Sequence, residues 1–351
     1  MKQYGVLVVD DSSFMRRCIS LLLEKDPAFF ILGIARNGQD ALEKVQRLKP
    51  DIVTMDVEMP EMDGITSLER IMKTCPVPVV MLSSYTEEGA KTSLQALELG
   101  AVDVFLKSEL IGDGANEKAV ENFLLSLKTF AEKGKLPTPA AKESLPIEQT
   151  RNELFIDSKE IELLIIGCST GGPSALQSLL PRFPRGLRIP ILVIQHMPPG
   201  FTGPLAERFN SLCNLPVKEI TDGDSLEPGM IYIAPAGFQT YIKKNTEGSA
   251  IFSVNEFSPI ETLYKPSINV TVLSAAQIFN ERLLTVILTG MGNDGLLGCQ
   301  EVKKRKGKVI VEAEESCIVY GMPKVVFEAG LADIQVPLPS IFEQIMLMLR
   351  S

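Results

Sequence analysis

Short apolar runs alternate with stretches of helical spacing along most of this chain. In the first third, runs at residues 6–9, 30–35, 52–55, 77–82 and 102–105 predict strands. Between them, residues 13–24, 38–48, 65–74 and 87–99 place apolar side chains at helical spacing, and 116–133 predicts a closing helix. Strands and helices in alternation build a parallel sheet covered on both faces. From about residue 109 to 155 the character changes. The segment GKLPTPAAKESLPIEQTRNELF is rich in Pro, Lys and Glu and keeps neither period, which is linker composition.

A second alternation begins at residue 161. Strands are predicted at 161–166, 189–195, 229–234, 284–289 and 309–311, and helices at 174–180, 203–211, 267–279, 295–303 and 323–328. Residues 241–254 predict a hairpin turning at 245–248. The fold class is therefore α/β. It has two doubly wound parallel-sheet domains, at residues 1–125 and 156–351, joined by a linker over 126–155. The second is a larger α/β/α layer structure with an antiparallel hairpin.

Bulk properties narrow the function. A chain of 351 residues, 45% hydrophobic and 23% charged, has enough material for two cores. The net charge of −9 argues against a nucleic-acid partner. The start MKQYGVLVVDD enters a strand and does not read as a signal peptide. The runs at 161–166 and 190–194 are too short to cross a bilayer, so a cytoplasmic protein without membrane insertion is expected. Six cysteines without a close C-x-x-C pair, and one histidine, argue against a zinc site.

Ligands of open α/β sheets collect beyond the carboxyl ends of the strands. In the first domain that rim carries Asp10 and Asp11, then Asp56, Ser83 with Ser84, and Lys107. Clustered carboxylates suit a hard cation such as Mg²⁺. A lysine beside them stabilises an anionic group on Asp56, so the set suits an acyl phosphate. The stretch PDIVTMDVEMPEMDGI at 50–65, with Asp10, Asp11, Ser83 and Lys107, resembles the flavodoxin-like receiver domain of bacterial response regulators over residues 1 to about 125. The resemblance implies phosphorylation of Asp56 by a histidine kinase. It also implies Mg²⁺ held by Asp11, Asp56 and the Glu58 carbonyl with Asp10 assisting, and a switch pair of Ser83 and Phe105.

The second domain offers a nucleophile. In IIGCSTGGPSAL, Ser169 sits in G-C-S-T-G between a predicted strand and helix. Such a turn exposes a serine hydroxyl, and it equally makes a phosphate cradle. His196 is the single histidine and follows a predicted strand, in QHMPPGF. Asp294 lies in GMGNDG after a third strand, where glycines expose backbone N–H groups for an oxyanion hole or merely make a turn. The three together, in the order Ser–His–Asp, form a candidate triad unlike the chain orders of α/β-hydrolases or subtilisin.

These residues are similar to the catalytic domain of chemotaxis protein-glutamate methylesterases. The likeness rests on GCSTGG, QHMPPGFTGPLAERFN, DGDSLEPGMIYIAP, LTGMGNDG and ESCIVYGMP across about 161–348. It implies Ser169 as nucleophile, His196 as base and Asp294 as orienting acid. The Met291 N–H would be an oxyanion donor, and Thr170 would line the pocket. Cys168 stands where alanine is more usual, and Gln239 where many relatives carry histidine. The implied reaction is hydrolysis of glutamate methyl esters on chemoreceptor cytoplasmic helices, releasing methanol and needing no cofactor. A chemotaxis histidine kinase would be the phosphodonor. Some relatives also deamidate receptor glutamines through the same acyl-enzyme. The domain order and linker lead us to expect that the unphosphorylated receiver restrains the catalytic domain. A phosphorylation-controlled binding module and a DNA-binding regulator are the rival classes; acidic charge and a long α/β second half disfavour the latter.

Overall fold

The structure is a computed structural model that describes residues 2–84, 86–112, 115–134 and 161–350. The chain divides into two compact units, Met1–Leu145 and Pro146–Ser351.

The first unit runs β1 (Tyr4–Val9), α1 (Ser13–Leu23), β2 (Phe29–Ala35), α2 (Gly38–Leu48), β3 (Ile52–Asp56), α3 (Gly64–Thr74), β4 (Val79–Ser83), α4 (Glu87–Glu98), β5 (Asp103–Leu106), α5 (Lys107–Leu110) and α6 (Glu117–Lys133). Its five strands are all parallel, in the order β2-β1-β3-β4-β5. Every residue of β1, β3 and β4 is buried, which is why these strands read as continuous apolar runs. Helices begin where a short polar side chain can accept an N–H: Ser12, Asn37, Asp63 and Thr86 cap α1 to α4. The strand order reverses between β1 and β3, so a crevice opens where Asp10 and Asp56 lie.

One boundary differs from the sequence reading. A domain limit at 125 falls inside α6, and residues 126–133 are helix rather than linker. Ser126, Leu127, Phe130 and Ala131 are buried, so this turn is held by packing. Residues 135–155 of the predicted linker lie outside the described residues.

The second unit runs β6 (Leu163–Cys168), α7 (Gly172–Leu179), β7 (Ile191–Gln195), α8 (Thr202–Leu212), β8 (Val217–Glu219), β9 (Ile231–Ile233), β10 (Gln239–Lys244), β11 (Ala250–Asn255), α9 (Ile268–Phe279), β12 (Leu283–Ile287), α10 (Leu296–Lys304), β13 (Lys308–Glu312), α11 (Met322–Glu328), β14 (Ile334–Val336) and α12 (Leu338–Arg350). Seven parallel strands form one sheet in the order β14-β13-β12-β6-β7-β9-β8. The predicted hairpin is present as the antiparallel pair β10–β11. The structure adds α5, β8, β14 and α12 to the predicted elements. The first strand of this unit, β6, is central, with β7 on one side and β12 on the other. Its carboxyl end is the switch point, and the segments after β6, β7 and β12 converge there. Among the described residues no helix is long and apolar enough to cross a membrane.

Close packing at the first rim gives a test of the fold. A Cβ on Gly64 would lie 2.0 Å from the carbonyl oxygen of Asp56. Helix α3 must therefore start on a residue without a side chain. Gly64→Ala is expected to destabilise the first unit by about 3 kcal/mol, read as a lowered midpoint in thermal unfolding; an unchanged midpoint would contradict this packing.

Candidate functional site

At the first rim, Lys107 Nζ lies 2.8 Å from Asp10 Oδ2 and 2.7 Å from Asp56 Oδ1. Asp10 and Asp56 are buried and Asp11 is exposed. Oxygens of the three carboxylates lie within 4.8 Å of one another. Three hard oxygen donors at that spacing fit a divalent cation such as Mg²⁺. Glu58 is exposed, and its N–H approaches Asp56 Oδ1 at 3.4 Å. Ser83 ends β4 with its hydroxyl turned to the Ser84 carbonyl at 3.2 Å, and it makes no hydrogen bond to the carboxylates. Phe105 is half-buried and packs edge-on against Phe123, with ring centroids 5.1 Å apart. The structure thus gathers Asp10, Asp11, Asp56 and Lys107, and places Ser83 and Phe105 on the neighbouring strands.

Charges in this crevice are coupled. Burial pushes the Asp56 carboxyl up to about 6; Lys107 and the Glu58 N–H pull against that rise, and Asp10 adds to it. Burial alone would lower the Lys107 ammonium, but Asp10 and Asp56 reverse it and hold it above its ordinary value.

The second site is assembled from three strand ends. Ser169 follows β6, His196 follows β7, and Asp294 lies on the loop after β12. Strand register fixes the first two: Cys168 pairs with Gln195, and the His196 N–H donates to the Cys168 carbonyl at 3.0 Å. The Ser169 N–H donates to the Thr289 carbonyl at 3.0 Å, which ties β6 to the loop after β12. That loop sits against the serine, for a Cβ on Gly290 would be 2.8 Å from Ser169 Cβ. Thr170 is buried, and its carbonyl accepts from Thr289 Oγ1 at 3.0 Å. Met291 is buried, and among the described residues nothing accepts its N–H.

Asp294 holds the histidine. His196 Nε2 lies 2.8 Å from Asp294 Oδ2. The carboxylate also accepts from Ser267 Oγ at 3.0 Å and from the N–H groups of Ile268 at 2.7 Å, Asn269 at 2.9 Å and Gly295 at 3.1 Å. It therefore sits at the N-terminus of α9, where N–H groups and the helix dipole favour negative charge. Burial pushes its pKa up, but His196 and these N–H groups overcome that and hold it below its ordinary value. A carboxylate facing Nε2 fixes the proton there and leaves the lone pair on Nδ1. Nδ1 is buried and has no partner, and no Ser169–His196 hydrogen bond is closed in this structure.

Four residues complete the site without having been marked by sequence pattern. Gln195 Nε2 donates to the carbonyls of Ser169 at 3.0 Å and His196 at 2.9 Å, while its Oε1 accepts from Cys168 Sγ at 3.0 Å. This explains Gly172, where a Cβ would lie 2.0 Å from Gln195 Oε1. Tyr264 stacks on the His196 ring with centroids 4.0 Å apart and planes 5° from parallel. Ser267 caps α9 and bonds Asp294. Glu312 is fully buried and accepts the Thr289 N–H at 2.8 Å. A polar Gln ending an apolar strand beside the histidine was the one visible signal. Gln239, noted as a departure, is buried and donates to the Tyr264 carbonyl at 2.8 Å.

Comparison with known proteins agrees with this division. Residues 164–345 match the family model of the CheB methylesterase, and residues 6–113 match the response regulator receiver domain. A protein-glutamate methylesterase/protein-glutamine glutaminase of Desulfitobacterium hafniense is 41% identical over 97% of this chain and 96% of its own length. A protein-glutamate methylesterase/protein-glutamine glutaminase 1 of Syntrophomonas wolfei is 41% identical over 99% of this chain and 100% of its own length. The crystal structure of the Thermotoga maritima CheB methylesterase catalytic domain superposes with a TM-score of 0.52 and 41% identity, covering 54% of this chain and 98% of that one.

The raised Asp56 carboxyl has a consequence for stability. Its folded value lies above the ordinary 3.8, at about 6. Its contribution to stability is therefore complete below about pH 4 and is lost as the pH rises through about 6. In metal-free buffer at pH 7.5, Asp56→Asn is expected to raise the unfolding midpoint of the first unit and to flatten its pH dependence between about 4 and 6. Urea titrations across that range check it, and a variant less stable than the parent at pH 7.5 would contradict it.

Proposed function

As the chain belongs to the CheB methylesterase family, we propose that it hydrolyses glutamate methyl esters on chemoreceptor cytoplasmic helices and that phosphorylation of Asp56 raises this activity. The observation that carries the reading is the state of the one histidine. Asp294 occupies Nε2, Nδ1 is buried and unpartnered, and the His196 N–H is tied to the Cys168 carbonyl that directly precedes Ser169.

Ser169 Oγ attacks the ester carbonyl while Nδ1 of His196 takes its proton. The Met291 N–H stabilises the oxyanion, and Thr170 lines the pocket. Collapse of the tetrahedral species breaks the bond to the methoxy oxygen, His196 returns the proton, and methanol leaves. A water then attacks the acyl-enzyme, giving its proton to Nδ1, and the glutamate is released with Ser169 restored. Asp294 stays ionised throughout and stabilises the imidazolium. Ester hydrolysis needs no cofactor. A receptor glutamine would follow the same path with ammonia as the leaving group.

In the first unit, Asp56 accepts a phosphoryl group from the phosphohistidine of a chemotaxis kinase. The O–P bond forms as the N–P bond breaks. Asp10, Asp11, Asp56 and the Glu58 carbonyl would hold Mg²⁺, which offsets charge on the phosphoryl oxygens. Lys107 is placed to move from carboxylate to phosphoryl oxygen, and Ser83 and Phe105 form the switch pair. With those partners the protein would act in the cytoplasm.

The test is methanol release from methylated receptor membranes, with and without a phosphodonor. Ser169→Ala and His196→Ala are each expected to lower kcat by about a thousandfold or more. Asp56→Asn should keep the basal rate and lose stimulation by the phosphodonor. Near-full activity in His196→Ala would end the triad reading. A parent protein that neither releases methanol nor is labelled at Ser169 by a fluorophosphonate would point to a binding module instead.

A further inference from the structure

The face of the histidine that the triad does not use is covered by Tyr264. The two rings are parallel within 5°, with centroids 4.0 Å apart. The tyrosine is not a loosely held surface ring. Its carbonyl accepts from Gln239 Nε2 at 2.8 Å, and the next carbonyl, of Lys265, accepts from the Gly237 N–H at 3.0 Å. Gln239 Oε1 accepts the Ser267 N–H at 2.9 Å, and Ser267 Oγ bonds Asp294 at 3.0 Å. Four consecutive residues, 264–267, therefore carry both the ring against His196 and a hydroxyl that secures its carboxylate partner. The phenol oxygen reaches the oxyanion loop, lying 3.0 Å from where a Cβ on Gly292 would be.

We propose that Tyr264 is a positioning residue for ester hydrolysis, acting on His196 through its ring face. The inference rests on the triad reading above. An imidazole held only at Nε2 can still rotate about that hydrogen bond. A parallel ring at stacking distance removes that freedom and holds Nδ1 in one orientation. The second effect is electrostatic. The tyrosine face carries negative quadrupole density and attracts a cation within about 6 Å. The imidazole becomes imidazolium as it takes the Ser169 proton. The stack therefore strengthens as charge develops, so it acts on kcat rather than on substrate binding. The stacked ring face, rather than the hydroxyl, carries this effect.

The experiment compares full-length parent, Tyr264→Phe and Tyr264→Leu in methanol release. Rates are expressed per Ser169 labelled to completion by fluorophosphonate, so that unfolded protein does not count. Tyr264→Leu is expected to lower kcat about three- to thirtyfold with KM within about twofold, and Tyr264→Phe to keep kcat within about twofold of the parent. A Leu variant with parental kcat would overturn the proposal. So would a Phe variant as slow as Leu, which would assign the effect to the hydroxyl. A rise in KM at constant kcat would make Tyr264 a substrate contact and overturn it as well. If the parent itself is neither labelled nor active, the triad reading fails, and that failure is distinct from any of these outcomes.

Discussion

A buried carboxylate must be surrounded by donors or give up its charge, and Asp294 is surrounded. Four donors besides histidine point at it: the Ser267 hydroxyl and the N–H groups of Ile268, Asn269 and Gly295. With the carboxylate fixed and ionised, Nε2 of His196 has to carry a proton, and Nδ1 becomes the basic atom. The orientation of the imidazole thus follows from how helix α9 begins. The same constraint reaches the fold. Because β12 pairs with β6, the Asp294 loop that follows it lies at the carboxyl ends of the sheet, and there it meets the start of α9.

The two sites use one architectural device for opposite electrostatic ends. Both lie at a switch point of a parallel sheet, and both centre on a buried aspartate. Asp56 has one ammonium, which it shares with Asp10, and a single N–H at 3.4 Å. Burial outweighs those partners, and its carboxyl rises to about 6. Asp294 has a histidine and a row of short hydrogen bonds, and its carboxyl falls below the ordinary value. An under-satisfied carboxylate gains from a cation and is available to react. A fully satisfied one is inert and orients its neighbour. The hydrogen-bond inventory around each residue therefore separates a buried carboxyl whose pKa rises from one held as a fixed anion, without any appeal to sequence motifs.

What the sequence made legible follows from the same geometry. Strand ends in a parallel sheet are marked by where apolar runs stop, so Asp56, Ser169 and His196 could be placed at rims from periodicity alone. Short strands that bury little side chain cannot be read this way. Strand β8 buries only Val217, and β14 is half-buried throughout, so neither shows a run. Tyr264 lies 68 residues from the histidine it stacks on, and nothing local in TLYKPS marks it. Glu312 reads as the polar end of a strand, yet it is buried under the Thr289 N–H. Such partners are set by tertiary proximity, which periodicity does not encode.

Cys168 and Gln239, where the resemblance led us to expect alanine and histidine, both become parts of the frame. The Gln195 amide must aim Nε2 at two carbonyls, so Oε1 faces inward and needs a donor; the Cys168 thiol supplies it. An alanine there would leave that oxygen buried with one bond fewer. Gln239 both donates to the Tyr264 carbonyl and accepts the Ser267 N–H. A neutral histidine has one donor and one acceptor and could serve the same two groups in one tautomer. On protonation it would lose the acceptor and release the Ser267 N–H. An amide keeps both roles at every pH at which the protein folds. In this chain the segment that carries the ring against His196 and the hydroxyl on Asp294 is thus decoupled from the protonation of a second histidine, and His196 is left as the only imidazole whose charge the site must manage.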